Sequence, residues 1–228
     1  MVRYSVRGIK TLDQLVSLSF YKKTITTSVN TREYNIKGIY GMNGSGKSGI
    51  ITSAEILRDL LIDPGYLHNP IAQKNLSAII NKKIGELFIE ADYMVKLEED
   101  LLLFRYNVIL SKDVSGKYVI SHECLSFKQA TSKSEVMKML FEVTGGEIAF
   151  LYRTKEQDNF SDIVQNRTMN LLETAAMSAL FYEKLYDTAE KNAEVPKGVL
   201  WAGLCLLYLF GRKIYVYVDQ SDDHRDFV

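Results

Sequence analysis

With 228 residues the chain holds one large domain or two small ones, and enough apolar side chain for a real core. Hydrophobic residues make up 46% and charged residues 25%, an ordinary soluble globular composition. Basic and acidic residues number 28 each, so the zero net charge gives no whole-molecule attraction to nucleic acid, although it allows a local basic patch.

Residues 1–30 alternate loosely and are rich in Val, Thr, Tyr and Phe, as in Val16-Ser17-Leu18-Ser19-Phe20 and Thr24-Ile25-Thr26. This pattern predicts two or three strands. Tyr34 to Tyr40 reads as a further short strand, feeding Gly41-Met42-Asn43-Gly44-Ser45-Gly46-Lys47-Ser48. These eight residues satisfy G-x-x-x-x-G-K-[ST], the phosphate-binding P-loop. At average residue frequencies a chance match in a chain this long is about one in a hundred. Beyond the loop, Ile50, Ala54, Leu57 and Leu61 share one face at helical spacing, and Asp63-Pro64-Gly65 ends the helix.

The residue types in the loop suit phosphate. Gly41, Gly44 and Gly46 allow backbone dihedrals closed to other residues, so successive N–H groups can turn inward as an anion nest. A helix starting near Lys47 adds unpaired N–H groups and the positive end of its dipole. Lys47 is the residue expected to reach the β- and γ-phosphates and to serve the chemistry, and the Ser48 hydroxyl is expected to ligate Mg²⁺. The nucleotide-binding set is Gly41, Met42, Asn43, Gly44, Ser45, Gly46, Lys47, Ser48 and Gly49. Asn43-Gly44-Ser45 is also a glycosylation sequon, discounted because nothing else in the chain looks secreted.

Asp63 to Pro70, with two prolines and a glycine, is a loop, and Ile71 to Lys83 a weak helix. Strand signals follow at 86–93, 102–109 and 118–121. The linkers Glu98-Glu99-Asp100 and Asp113-Val114-Ser115-Gly116 make this an antiparallel meander. Residues 133–142 read as a helix with Val136, Met139 and Leu140 inward, and Gly145-Gly146 breaks the chain. Asn170 to Lys191 returns to a helix with a core stripe of Leu171, Ala175, Ser178, Tyr182, Leu185 and Ala189. An apolar helix over 199–210 and a buried strand, Ile214 to Val218, close the chain.

Cys124 and Cys205 lie far apart without metal-ligand spacing and read as buried reduced thiols. The start Met1 to Arg7 lacks the apolar core of a signal peptide, so a cytoplasmic location is expected. Val199 to Phe210 is nearly all apolar, but a membrane-spanning helix needs about twenty residues, so no membrane contact is expected. His68 and His122 stand apart from any nucleophile or ligand partner.

The arrangement resembles the amino-terminal half of an ABC-type AAA ATPase, the group that includes the overcoming-lysogenisation-defect ATPases and the retron- and abortive-infection-associated ATPases of bacterial phage defence. The resemblance is carried by the β preamble leading into Ile39 to Ser48 with its helix ending Ile56 to Leu61. The hairpin of Phe88 to Tyr93 and Phe104 to Val108 is similar to that family's antiparallel lobe. The helix around Thr168 to Tyr186 and the strand running into Ser221-Asp222-Asp223-His224 look like its next segments. It implies a P-loop NTPase core of α/β class with an antiparallel β-subdomain and a helical segment. One incomplete lobe is expected, made of residues 1–85 (β preamble, P-loop and helix), 86–130 (antiparallel β-subdomain) and 131–228 (helical segment and terminal strand). It also implies ATP and Mg²⁺ as ligands.

Such ATPases hydrolyse ATP at a dimer interface, with a Leu-Ser-Gly-Gly-like signature loop, a Walker B strand ending Asp-Glu and a switch histidine. No signature loop is visible. The nearest approach to Walker B is Ile214 to Gln220, where Asp219 is the metal candidate and Gln220 stands in the general-base position. A glutamine orients a water but cannot accept its proton. Asp219, Asp222, Asp223, His224 and Asp226 together suggest a divalent-metal site, against which a solvated acidic tail is the favoured reading. Catalysis is therefore expected to need a missing carboxy-terminal half, a homodimer or a partner supplying the signature motif, with DNA contact resting on family analogy alone. The alternatives are a small-molecule P-loop kinase and a non-catalytic nucleotide-sensing module. No residue identifies the adenine contact; Tyr4 and Tyr21 are aromatic candidates.

Overall fold

The computed structural model describes residues 1–20, 38–97, 100–151 and 170–178. Seven strands form one sheet: β1 (Arg3–Arg7), β2 (Val16–Ser19), β3 (Glu86–Leu97), β4 (Asp100–Lys112), β5 (Tyr118–Gln129), β6 (Lys138–Thr144) and β7 (Glu147–Leu151). Their order is β2-β1-β3-β4-β5-β6-β7, and every pairing is antiparallel. Two helices, α1 (Lys47–Ile62) and α2 (Pro70–Ile79), lie between β2 and β3 in the chain, with a 3₁₀ turn at Tyr66–His68. The described residues are thus a mixed α/β unit on an antiparallel sheet. β1 pairs with β2 on one side and β3 on the other, so the amino-terminal strands and the meander share one sheet.

The core lies between one sheet face and the helices. Alternate residues of β1, β3 and β4, such as Tyr4, Val6, Ile89, Tyr93, Tyr106 and Val108, meet Ile56, Leu57, Leu60 and Leu61 of α1 and Leu76 of α2. Each such fully buried aliphatic side chain contributes about 1.5–3 kcal/mol relative to exposure. Tyr4 also donates to Ser53 Oγ on α1 at 2.7 Å, and Ser53 donates to the Ile50 carbonyl at 2.8 Å, which fixes the helix on the sheet. Asn69 caps α2 by accepting from the Ile71 N–H, and Pro70 fills its first position. Gln73 of α2 bonds to both backbone groups of Tyr118, at 2.8 and 2.9 Å, so α2 is stitched to β5.

The opposite face carries charge. Asp92 is cross-strand neighbour to Arg3 and Arg105, and Arg105 grips it through two bonds of 2.8 and 2.9 Å. Arg3 reaches Glu90 at 2.5 Å, and Arg7 pairs with Glu86. Val2, Met94, Leu103 and Ala130 form a small apolar cluster beside this ladder.

Three expectations are corrected. Residues 133–142 are not a helix: β6 begins at Lys138, and Val136 is 79% exposed. The apparent three- and four-residue spacing gave way to strand pairing with β5, which buries Leu140, Phe141 and Val143. Gly38, Ile39 and Tyr40 carry no strand, because they find no strand partner among the described residues; residues 34–37 lie outside them. The helix expected from Asn170 starts later. Residues 171–174 are turn and bend, and 176–178 are helical, with Leu171, Ala175 and Ser178 buried as the stripe requires. The rest of that stripe, the helix 199–210 and the strand 214–218 lie outside the described residues. Among the described residues no helix is long and apolar enough to cross a membrane.

Candidate functional site

The P-loop residues lie where the sheet's first turn meets the start of α1. Gly44 (φ +81°) and Gly46 (φ +91°) adopt left-handed backbone, the conformation that favours glycine. Gly41 does not share that conformation, and a Cβ there would meet only the exposed Ser45 side chain, at 2.9 Å from its Oγ. Gly46 is constrained twice, since a Cβ would also lie 2.3 Å from Leu12 Cδ2. Gly49 sits buried against Ile9 and Leu12, at 3.4 and 3.5 Å from an added Cβ. Met42, Asn43, Gly44 and Ser45 form an exposed tip, closed by a 3.2 Å bond from the Ser45 N–H to the Met42 carbonyl.

Lys47 folds back over the loop. Its ammonium donates to the carbonyls of Gly41 at 2.5 Å and Met42 at 2.7 Å, and among the described residues no carboxylate pairs with it. Gly46 is the N-cap of α1 without a side-chain cap, and the first turn holds no acidic residue. The N–H groups of Gly49 and Ile50 already bond to the Gly46 carbonyl. Those of Lys47 and Ser48 meet no acceptor among the described residues. An ammonium, a positive helix end and open N–H groups converge, which is the chemistry of a phosphate site.

Two residues that sequence reasoning missed complete the site. They come from the turn between β1 and β2. Thr11 Oγ1 donates to the Gly44 carbonyl at 3.1 Å, tethering the loop tip. Lys10 Nζ lies 3.4 Å from Ser48 Oγ and 3.2 Å from Thr52 Oγ1, on the exposed side of the first two turns of α1. Lys10 has φ +49°, unusual for a residue with a side chain. Its backbone is held there from both sides: its N–H donates to the Ile79 carbonyl at 2.6 Å, and Asn81 Nδ2 donates to its carbonyl at 2.8 Å.

The metal expectation meets a poor fit. The Ser48 hydroxyl is exposed, but its neighbour is an ammonium, and among the described residues no cluster of three His, Cys, Asp or Glu could hold a metal ion. Asp219 and Gln220 lie outside the described residues, as do Asp222, Asp223, His224 and Asp226. Tyr4 is corrected as an adenine candidate. It is 2% exposed beneath α1, and burial pushes its hydroxyl's pKa far above the usual tyrosine value. Tyr21 lies outside the described residues.

The two described histidines have polar neighbours. His68 Nε2 sits 2.9 Å from Glu173, and His122 faces Thr144 at 3.4 Å. Cys124 is a free buried thiol, its pKa pushed up to about 11 by burial and by the nearby Glu142 and Glu123; Cys205 lies outside the described residues. No family model, curated protein or solved structure matches the chain.

Proposed function

We propose that residues 41–48 bind ATP, presented as its Mg²⁺ complex, and that the chain acts as the nucleotide-binding lobe of a phage-defence-type ABC ATPase with a P-loop NTPase core. The observation that carries the reading is one arrangement. Two left-handed glycines lead into an uncapped helix start free of acid, beneath a lysine ammonium without a carboxylate partner among the described residues. The specificity of the motif and the helix that begins at Lys47 support it.

Hydrolysis needs a base and a signature loop that a partner supplies, with Asp219 as the metal residue of this chain. Turnover by the chain alone is accordingly weak or absent. The proposed setting is the cytoplasm, and DNA contact is an analogy with the family only.

Thermal melting tests the reading. ATP and Mg²⁺ at a hundredfold excess over the dissociation constant add about 2.7 kcal/mol, or about 5–11 °C for a chain of this size. Lys47→Ala removes most of that gain. ATP consumption only when a metabolite is added identifies a small-molecule kinase instead. Binding without consumption in any oligomeric state identifies a nucleotide-sensing module. Mass measurement with and without nucleotide shows whether ATP drives dimerisation.

A further inference from the structure

We propose that the Lys10 ammonium takes the place of a divalent cation beside Ser48, so that the loop grips a triphosphate with little dependence on Mg²⁺. The inference rests on the nucleotide-binding reading above and specifies which counter-charge that site uses.

The Ser48 hydroxyl is the one P-loop side chain whose expected task is to ligate metal. Here Lys10 Nζ lies 3.4 Å from that oxygen and 3.2 Å from Thr52 Oγ1, which places an ammonium beside the hydroxyl expected to ligate metal. A hydroxyl beside an ammonium presents a dication with a like charge a few ångströms away. No cluster of carboxylates among the described residues offsets that repulsion.

The placement of Lys10 is built into the fold. A side-chain-bearing residue at φ +49° is held by the Ile79 carbonyl and Asn81 Nδ2, while its neighbour Thr11 bonds the loop at Gly44. The β1–β2 turn therefore delivers a cation on a fixed backbone to the loop's helix side, and Lys47 delivers the other at its entry. Neither lysine pairs with a carboxylate among the described residues, and Lys83 rather than Lys10 takes Asp13. Free triphosphate is more negative than its Mg²⁺ complex, so two resident ammonium groups favour the metal-free form by direct attraction. Lys10 is exposed, so solvent and salt screen this attraction and the effect on affinity is moderate.

Calorimetric titration of the folded full chain with ATP, once in EDTA and once in magnesium chloride, tests this. The native chain is expected to bind with affinities within about threefold of each other in the two conditions. Lys10→Asn, whose side chain tolerates positive φ, is expected to lose about tenfold or more in EDTA and less than about threefold in magnesium. Lys10→Arg keeps the charge and restores binding in EDTA. An apo melting temperature for each variant confirms that it folds.

A native chain that loses more than about threefold on magnesium removal overturns the proposal and leaves the nucleotide site standing. A Lys10→Asn variant that weakens equally in both conditions overturns it too, making Lys10 a general phosphate contact. Failure to bind ATP in either condition removes both readings together.

Discussion

The Ala176 N–H donates to the buried Glu123 carboxylate at 2.6 Å, joining the last described segment to the centre of β5. Met177 N–H donates to the same group at 3.1 Å and the Tyr106 hydroxyl at 2.8 Å. A carboxylate on the apolar face of the sheet thus caps the start of the helical residues 176–178 with three donors. Glutamine in its place presents an amide N–H₂ to backbone N–H groups, so Glu123→Gln is expected to destabilise by about 1–3 kcal/mol in denaturant unfolding.

The same group sets a pH dependence. Burial, the largest influence, raises the Glu123 pKa above the ordinary 4.5, against the lowering effect of its three donors. Over the interval between the ordinary and the raised value the folded chain holds a proton that the unfolded chain has released. Stability contributed by this group therefore falls as pH rises through that interval. Comparing native protein with Glu123→Gln by thermal melting isolates the effect. The difference between them should shrink as pH rises; a difference that grows would show that the donors outweigh burial.

The glycines of the loop are not equivalent. Gly44→Ala introduces strain at φ +81° in open space, costing about 1 kcal/mol. Gly46→Ala adds a Cβ within 2.3 Å of Leu12 Cδ2 to a similar strain and is expected to cost about 1–3 kcal/mol more. Urea titration of the two variants checks the order; equal costs would mean that Leu12 moves aside freely.

On the charged face, Asp92 is 4% exposed and answers Arg105 through two bonds and Arg3 at 3.2 Å. Asp92→Ala leaves two guanidinium groups with one shared acceptor, Glu90, at 2.5 and 3.7 Å. The expected loss is about 2 kcal/mol, below the figure for a fully buried pair because Arg105 is partly solvated. Arg105→Lys, which cannot span both oxygens, should lose about half as much. Equilibrium unfolding of the two variants measures both.

What the sequence made legible follows from how far local pattern determines structure. The helix after the loop announces itself through Ile50, Ala54, Leu57 and Leu61; the structure buries Ile50, Leu57 and Leu61 and half-buries Ala54. Strands at 86–93, 102–109 and 118–121 announce themselves through alternation and acidic turns, and extend further than read because sheet neighbours continue the pairing. β6 was hidden because Val136, Met139 and Leu140 imitate helical spacing in the one stretch where pairing with β5 decides. Glu123 was hidden by a β-bulge: Ile109 faces His122 while Leu110 faces Ile120, so Ser121 is the extra residue and the register shift carries Glu123 inward. Lys10 had no local signal, since its role comes from a turn that only folding brings to Ser48.

Residues 41–48, which run into the first turn of α1, are proposed to hold the phosphates of a nucleotide. Isothermal titration of the intact chain with ATP tests this most directly. Saturable heat is expected in the native protein, with an affinity weakened about tenfold or more in Lys47→Ala. Absence of heat from ATP with and without magnesium, in protein that melts cooperatively, would contradict it.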